Sequence, residues 1–412
     1  MEVDTGKALY LWLVCGLAIP SVALAQDDPP EAPKIQDDTG DADYVDAEPE
    51  EDDRPFLDGL SWQVLASGFY NFNGYRVSGT YNNLDYPYTN YMGFGLNFAG
   101  GDVTYTGHKF AIRLDLRWGT AAELLTPIAP VKQGYVAYMP TEHIAIDFGF
   151  FDTMFGGEFV DEWVNANYTR GALYFLRQPF NHLGVRLSAE PTELVGFTFM
   201  LANGGVRGGT AIADVEVPAV GWQVGLTPRG QRSVRRRGLR EGSREVGIFF
   251  GGNHAPSGIN GNRAWESFFD VLVTFGYHWF HFVLNADYQI NPHVPDSVGN
   301  TVRSFAFGHS LALIFDAADH WSVGLRGENL SGNDAYRTFG GDTYGGLTTG
   351  TVTVRYKPVE YLVISLEGRG EWTTRNTYFS RSSPTDPVTG DPIANQQSYY
   401  ALILGVSGHI GN

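Results

Sequence analysis

Six charged residues crowd one stretch of this chain. Asp152, Glu158, Asp161, Glu162, Arg170 and Arg177 fall within residues 152–181, among Phe, Trp and Tyr. Carboxylates and guanidinium groups brought face to face across a water-filled space set up a transverse field that sorts solutes by charge. Partners for such a field exist elsewhere in the chain. Lys109, Arg113, Arg117, Arg186, Arg326, Arg355 and Arg369 supply bases, with Asp115, Glu190, Asp287, Glu328, Glu367 and Glu371 as counter-charges. A connection as long as 152–181 is usually functional or disordered. The expectation is that it folds inward and narrows an opening. The competing expectation is that it lies over a rim, against lipopolysaccharide or a neighbouring copy.

Other chemistry has thinner support. His278 and His281 are three apart, but among Tyr277, Trp279 and Phe280 they read as part of an interfacial aromatic belt. His309-Ser310 and Ser407-Gly408-His409 supply a nucleophile and a base, as covalent catalysis requires. Neighbours on a strand face opposite sides, however, and no G-x-S-x-G elbow is present. Residues 204–209 (GGVRGG) are glycine-rich with no helix to follow, so a phosphate cradle lacks its main component. The sole cysteine, Cys15, excludes an intramolecular disulfide and Cys-based zinc or iron–sulfur sites. No catalytic residue, cofactor or metal is expected. A barrel lipase or protease is the weaker alternative, and a non-conducting structural anchor is another.

What must position the charged side chains is a set of two-faced strands. Phe110, Ile112, Leu114, Leu116 and Trp118 make one face wholly apolar, while Arg113, Asp115 and Arg117 lie between them. The same period of two returns at 182–190 and 361–374. That period means strand, not helix. Sixteen segments read this way: 61–72, 91–99, 107–119, 131–139, 143–151, 182–190, 194–203, 219–227, 245–252, 266–276, 279–290, 302–315, 320–330, 346–357, 361–374 and 398–410. Charged side chains on the inner face would be costly in a sandwich core. In a wide barrel they meet water, and aromatic residues at strand ends suit the two membrane interfaces. The fold expected is therefore an all-β, transmembrane, antiparallel up-and-down barrel of about 16 strands with an aqueous lumen.

The ends of the chain carry address and charge. Residues 8–25 are the only long apolar run and finish in Ala23-Leu24-Ala25 before polar residues, which reads as a secretory signal cleaved after Ala25. Residues 26–55 hold 13 acids and 2 bases out of a net charge of −18 for the chain, and read as a disordered acidic leader. The barrel would then occupy 56–412. Residues 228–244 carry seven arginines on what the strand phase makes a periplasmic turn. Long connections alternate with short ones such as Pro140-Thr141-Glu142, which puts both termini in the periplasm of a Gram-negative cell. The mildly acidic body argues against nucleic acid as a partner.

One region carries a family signature. Asp147-Phe148-Gly149-Phe150-Phe151-Asp152-Thr153-Met154-Phe155-Gly156-Gly157-Glu158 is followed by Asn165-Ala166-Asn167-Tyr168-Thr169-Arg170, then by Asn181-His182-Leu183-Gly184-Val185-Arg186. This resembles the OmpL-like β-barrel porin family of bacterial outer membranes. The resemblance implies a channel for passive diffusion of small hydrophilic solutes or ions, with lipid and lipopolysaccharide around it. Assembly as a homo-trimer is left open. One departure is the C-terminus, Gly408-His409-Ile410-Gly411-Asn412, which lacks the terminal aromatic residue common in such barrels.

Overall fold

The computed structural model describes residues 59–73, 92–126, 128, 130–192, 194–209, 217–226, 245–256, 265–295, 301–333, 345–380 and 382–411. The expected signal peptide with its Ala25 site, the leader 26–55 and the arginine-rich turn 228–244 lie outside the described residues.

Sixteen strands form the wall: β1 (Leu60–Asn73), β2 (Gly93–Thr106), β3 (Phe110–Trp118), β4 (Val131–Thr141), β5 (Ile144–Asp152), β6 (Asn181–Ala189), β7 (Val195–Ala202) and β8 (Ala219–Leu226), then β9 (Glu245–Pro256), β10 (Trp265–Tyr277), β11 (Phe280–Pro295), β12 (Thr301–Ala318), β13 (Trp321–Gly332), β14 (Leu347–Val359), β15 (Leu362–Thr373) and β16 (Ser398–Gly411). Each pairs antiparallel with its neighbours in the chain. The ring closes where β1 meets β16, from Gln63↔Gly411 to Asn73↔Ala401. Closure leaves no free sheet edge, which is what a strand protein needs in a bilayer.

Burial is inverted relative to a water-soluble protein. On β3, Phe110, Ile112, Leu114 and Trp118 are exposed, while Asp115 and Arg117 are fully buried. The alternation of apolar and polar residues thus runs lipid side against lumen side, and the expected architecture holds.

Strand limits differ in one informative place. β2 was expected to stop at residue 99, where Gly100-Gly101 interrupts the apolar beat. It continues to Thr106, with Val103 outside and Asp102 inside. Gly100 permits this: a Cβ there would run into the Leu116 carbonyl of β3. Residues 107–109, expected inside a strand, form the tight turn between β2 and β3 instead. Two short helices were also not expected, α1 (Thr120–Leu125) and α2 (Ala172–Arg177). Both bury apolar side chains inside the barrel, Ala121, Ala122 and Leu125 from α1 and Leu173, Tyr174 and Phe175 from α2.

Candidate functional site

The connection between β5 and β6, residues 153–180, lies inside the wall. Its first turn buries Met154 and Phe155 with Phe151, Met200, Ala219 and Phe268. Gly156 takes a positive φ of 82° there, with the Gln178 side chain where a Cβ would sit. Further on, Tyr168 lays its ring on Gly405 and its hydroxyl donates to the Gly68 carbonyl at 3.0 Å. Ala166 rests on Gly324 in the same way, so the wall is reduced to backbone where the loop comes closest.

Two β-bulges build a socket for the loop's acidic pair. In β2, Ser67 pairs with Phe98 and Gly68 with Leu96, leaving Asn97 as an extra residue. In β4, Asp115 pairs with Gln133 and Leu116 with Val131, leaving Lys132 extra. A bulge re-aims the side chain it adds, and here both turn inward. Asn97 donates to Glu162 at 2.8 Å, Lys132 to Asp161 at 2.6 Å, and Arg117 from β3 to both oxygens of Asp161 at 2.9 and 3.0 Å. Ser407 of β16 completes the socket, donating to Glu162 at 2.7 Å.

Next to the socket along the wall, charged side chains of β13 and β15 hold the loop by its main chain. Glu367 accepts the Tyr168 and Thr169 N–H groups at 2.7 and 3.2 Å. Glu328 accepts those of Ala172 and Leu173, both at 2.9 Å, at the start of α2. Arg326 donates to the Thr169 carbonyl at 2.6 Å and Arg369 to that of Arg170 at 3.0 Å. Carboxylates therefore take the amides and guanidinium groups take the carbonyls. These are charge-assisted bonds, roughly twice as strong as neutral ones. At the far end of α2, Gln178 donates to Asn285 and Asp287 of β11 at 2.5 and 2.8 Å.

Electrostatics divide the acidic pair. Burial opposes charge on Asp161, but the fields of Lys132 and Arg117 outweigh it and hold the carboxyl well below the usual aspartate range. Glu162 goes the other way. Burial pushes its carboxyl up, and the Ser407 hydrogen bond offsets only part of that. Burial likewise pulls the Arg170 guanidinium down to about 9. Both shifts favour neutral forms, so desolvation outweighs the Arg170–Glu162 contact at 3.3 Å.

The sequence pattern of the family described as beta-barrel porin-2, OmpL-like, matches residues 59–405. The chain belongs to that family. All the wall-lining and loop residues just described except Ser407 lie within the matched region, and the protein is an outer-membrane porin. Among solved structures, the outer membrane channel DcaP of Acinetobacter baumannii has a TM-score of 0.55 at 9% identity, over 84% of this chain and 96% of that one. An anion-selective porin from Comamonas acidovorans gives 0.55 at 7%, over 85% and 99%. Pseudomonas putida OprB gives 0.50 at 8%, over 86% and 95%. At such identities the likeness is one of fold. No curated protein sequence matches the chain.

The porin arranges the charged residues singled out from sequence differently from a simple pore lining. Asp161, Glu162, Arg170 and Arg177 are buried in the docked loop, while Asp152 and Glu158 keep 28% and 15% of their side chains in reach of water. Arg117, Arg326, Glu328, Arg355, Glu367, Arg369, Glu371, Asp115 and Asp287 face the lumen side but are covered. They were expected to line open water. Most are instead taken up by the loop or by partners on the wall: Arg355 donates to the Glu162 carbonyl at 3.1 Å, and Glu371 accepts the Tyr378 hydroxyl at 2.7 Å. Arg113 and Arg186 remain partly open, bound to Asp115 and Asp147. Lys109 and Glu190 stand apart from the others. Lys109 is exposed in the β2–β3 turn, and Glu190 follows β6 with its N–H on the His143 carbonyl, so both lie at the short-turn end.

Asn97, Asp102, Lys132, Asp147 and Gln178 were missed. For Lys132 a signal existed: Lys132-Gln133 are adjacent polar residues in an otherwise alternating strand, the mark of a bulge. The Ser–His candidates separate as well. His309 points outward and Ser310 inward. Ser407 is engaged with Glu162, and His409 stacks on Trp163 at 5.4 Å.

Proposed function

We propose that this porin carries small hydrophilic solutes or ions by passive diffusion, through a lumen narrowed by residues 153–180. The observation that carries this reading is the loop itself. It is pinned to β2, β3, β4, β11, β13, β15 and β16 by hydrogen bonds and ion pairs. A segment so held sets a fixed cross-section, and Arg113, Asp152, Glu158 and Arg186 stay in contact with water beside it. The short-turn end faces the periplasm in this reading, with both termini there, since long connections belong outside. A signal peptide ending at Ala25 delivers the chain.

Single-channel recording in planar bilayers tests the reading. The full-length mature protein should give discrete open steps, and deletion of 156–170 should enlarge them. The extensive burial of wall charges favours a second reading, a structural barrel that does not conduct. Silence from both proteins would establish it, and equal step sizes would remove the loop from the conduction path.

A further inference from the structure

The lumen wall is charged unevenly around its circumference. Among the described residues, the arginines and lysines that face inward from strands lie on β3, β4, β6 and β13–β15. Strands β7–β12 contribute carboxylates and amides there instead, among them Glu266, Asp270 and Asp287 with Asn285 and Gln289.

Most of the bases are not available to a passing ion. Arg117, Lys132, Arg326 and Arg369 are buried in ion pairs. Arg113 and Arg186 keep 34% and 14% of their side chains in reach of water, yet each is neutralised by a buried carboxylate at 2.9 Å, Asp115 and Asp147. The carboxylates are placed differently. Asp152 lies 3.5 Å from Lys132 and remains partly open. Glu266 is half-buried and held by the Gln289 amide at 2.6 Å, with Arg207 acting on it through space.

We propose that the lumen prefers small cations over anions, and that Glu266 and Asp152 are the residues that set the preference. The proposal rests on the conduction reading above. Glu266 is the second residue of β10, at the mouth where the long connections leave. A carboxylate there acts over a Debye length of about 8 Å at physiological ionic strength. It concentrates cations at the mouth and depletes anions. Asp152 ends β5, where the docked loop leaves the wall, and meets the same ion next.

Reversal potentials across bilayers holding the full-length mature porin in a KCl gradient test this. Wild type should pass K⁺ in preference to Cl⁻, shifting the reversal potential toward that of K⁺, the direction an excess of accessible negative charge imposes. Glu266→Gln should lower the K⁺-to-Cl⁻ ratio and Glu266→Lys should lower it further, following charge rather than size. Asp152→Asn should lower it independently. Equal or greater passage of Cl⁻ by wild type overturns the proposal and leaves conduction standing. A ratio untouched by Glu266→Lys overturns the assignment to Glu266. Absence of open steps removes both this proposal and the conduction reading.

Discussion

Lys132 reaches Asp161 at 2.6 Å because β4 carries one residue more than the strand it pairs with. If the register Asp115↔Gln133 simply continued, Lys132 would stand opposite Leu116, whose side chain lies on the lipid face. A shift of one residue moves a side chain to the other face of a sheet. The bulge thus converts a lysine that would cost energy in the bilayer into an anchor for the loop. Asn97 in β2 follows the same logic, since an unbulged register would place it opposite outward-facing Gly68.

Removing the amine should loosen the loop without unfolding the wall. Lys132→Ala leaves Asp161 with Arg117, so the loss should be about 1–3 kcal/mol, the range for a buried hydrogen-bonding group left short of a partner. That is less than the roughly 3–5 kcal/mol expected when a buried ion keeps no counter-charge. Urea titration of the protein folded into vesicles measures the loss. Single-channel records of the same variant should show noisier open levels than wild type.

Volume added beneath the loop should act without touching any charge. Gly405 lies under the Tyr168 ring, where a Cβ has no room. Gly405→Leu should therefore lift the 165–170 segment off β16 while leaving the strand pairing of Gly405 with Phe69 and Ser365 intact. Tryptic cleavage at Arg170, buried in wild type, should become measurable, and open-channel conductance should rise. Unchanged protease resistance would show that the ring can be housed elsewhere.

The acidic pair predicts opposite pH responses. Asp161 has a folded-state carboxyl held below its ordinary value of 3.8, so its contribution to stability is present above that value and lost as pH falls through the folded one. Glu162 is raised above 4.5, so it favours the fold fully below 4.5 and loses that contribution as pH rises through its folded value. Asp161→Asn should therefore be destabilising at neutral pH, with the gap to wild type closing only in strong acid. Glu162→Gln should gain on wild type as pH rises above 4.5. Unfolding midpoints measured from pH 8 down into strong acid would reveal the two trends, and parallel curves over that whole range would refute them.

How far the sequence could be read follows from which physics is local. Alternation along β3 is set by one strand and its solvent, so Arg113, Asp115 and Arg117 could be placed on the inner face from residue order alone. The sixteen segments follow for the same reason. Bulges at Asn97 and Lys132 depend on register with a neighbouring strand, which residue order encodes only as a stutter. The use of Glu328, Glu367, Arg326 and Arg369 to grip a main chain depends on where a segment some 150 to 200 positions distant comes to rest, as in Ala172 with Glu328 at a separation of 156. From sequence those residues look like free charges on a wet wall. Only the docked loop shows that their partners are peptide groups.

That difference yields a sharp test at Glu328. Its carboxylate accepts from three donors: the Ala172 N–H and the Thr349 hydroxyl on one oxygen, at 2.9 and 2.6 Å, and the Leu173 N–H on the other at 2.9 Å. An ordinary pore-lining charge would tolerate glutamine, which is of equal size. Here the amide NH₂ of Glu328→Gln cannot accept, so one helix-start N–H loses its partner whichever way the amide turns. The loss should be about 1–3 kcal/mol. Hydrogen exchange at Ala172 or Leu173 should quicken while β13 and β14 keep their protection. Glu328→Asp should fail similarly, being too short to reach. Wild-type exchange in Glu328→Gln would mean that the start of α2 is held by its packing against β12 and β13, not by this carboxylate.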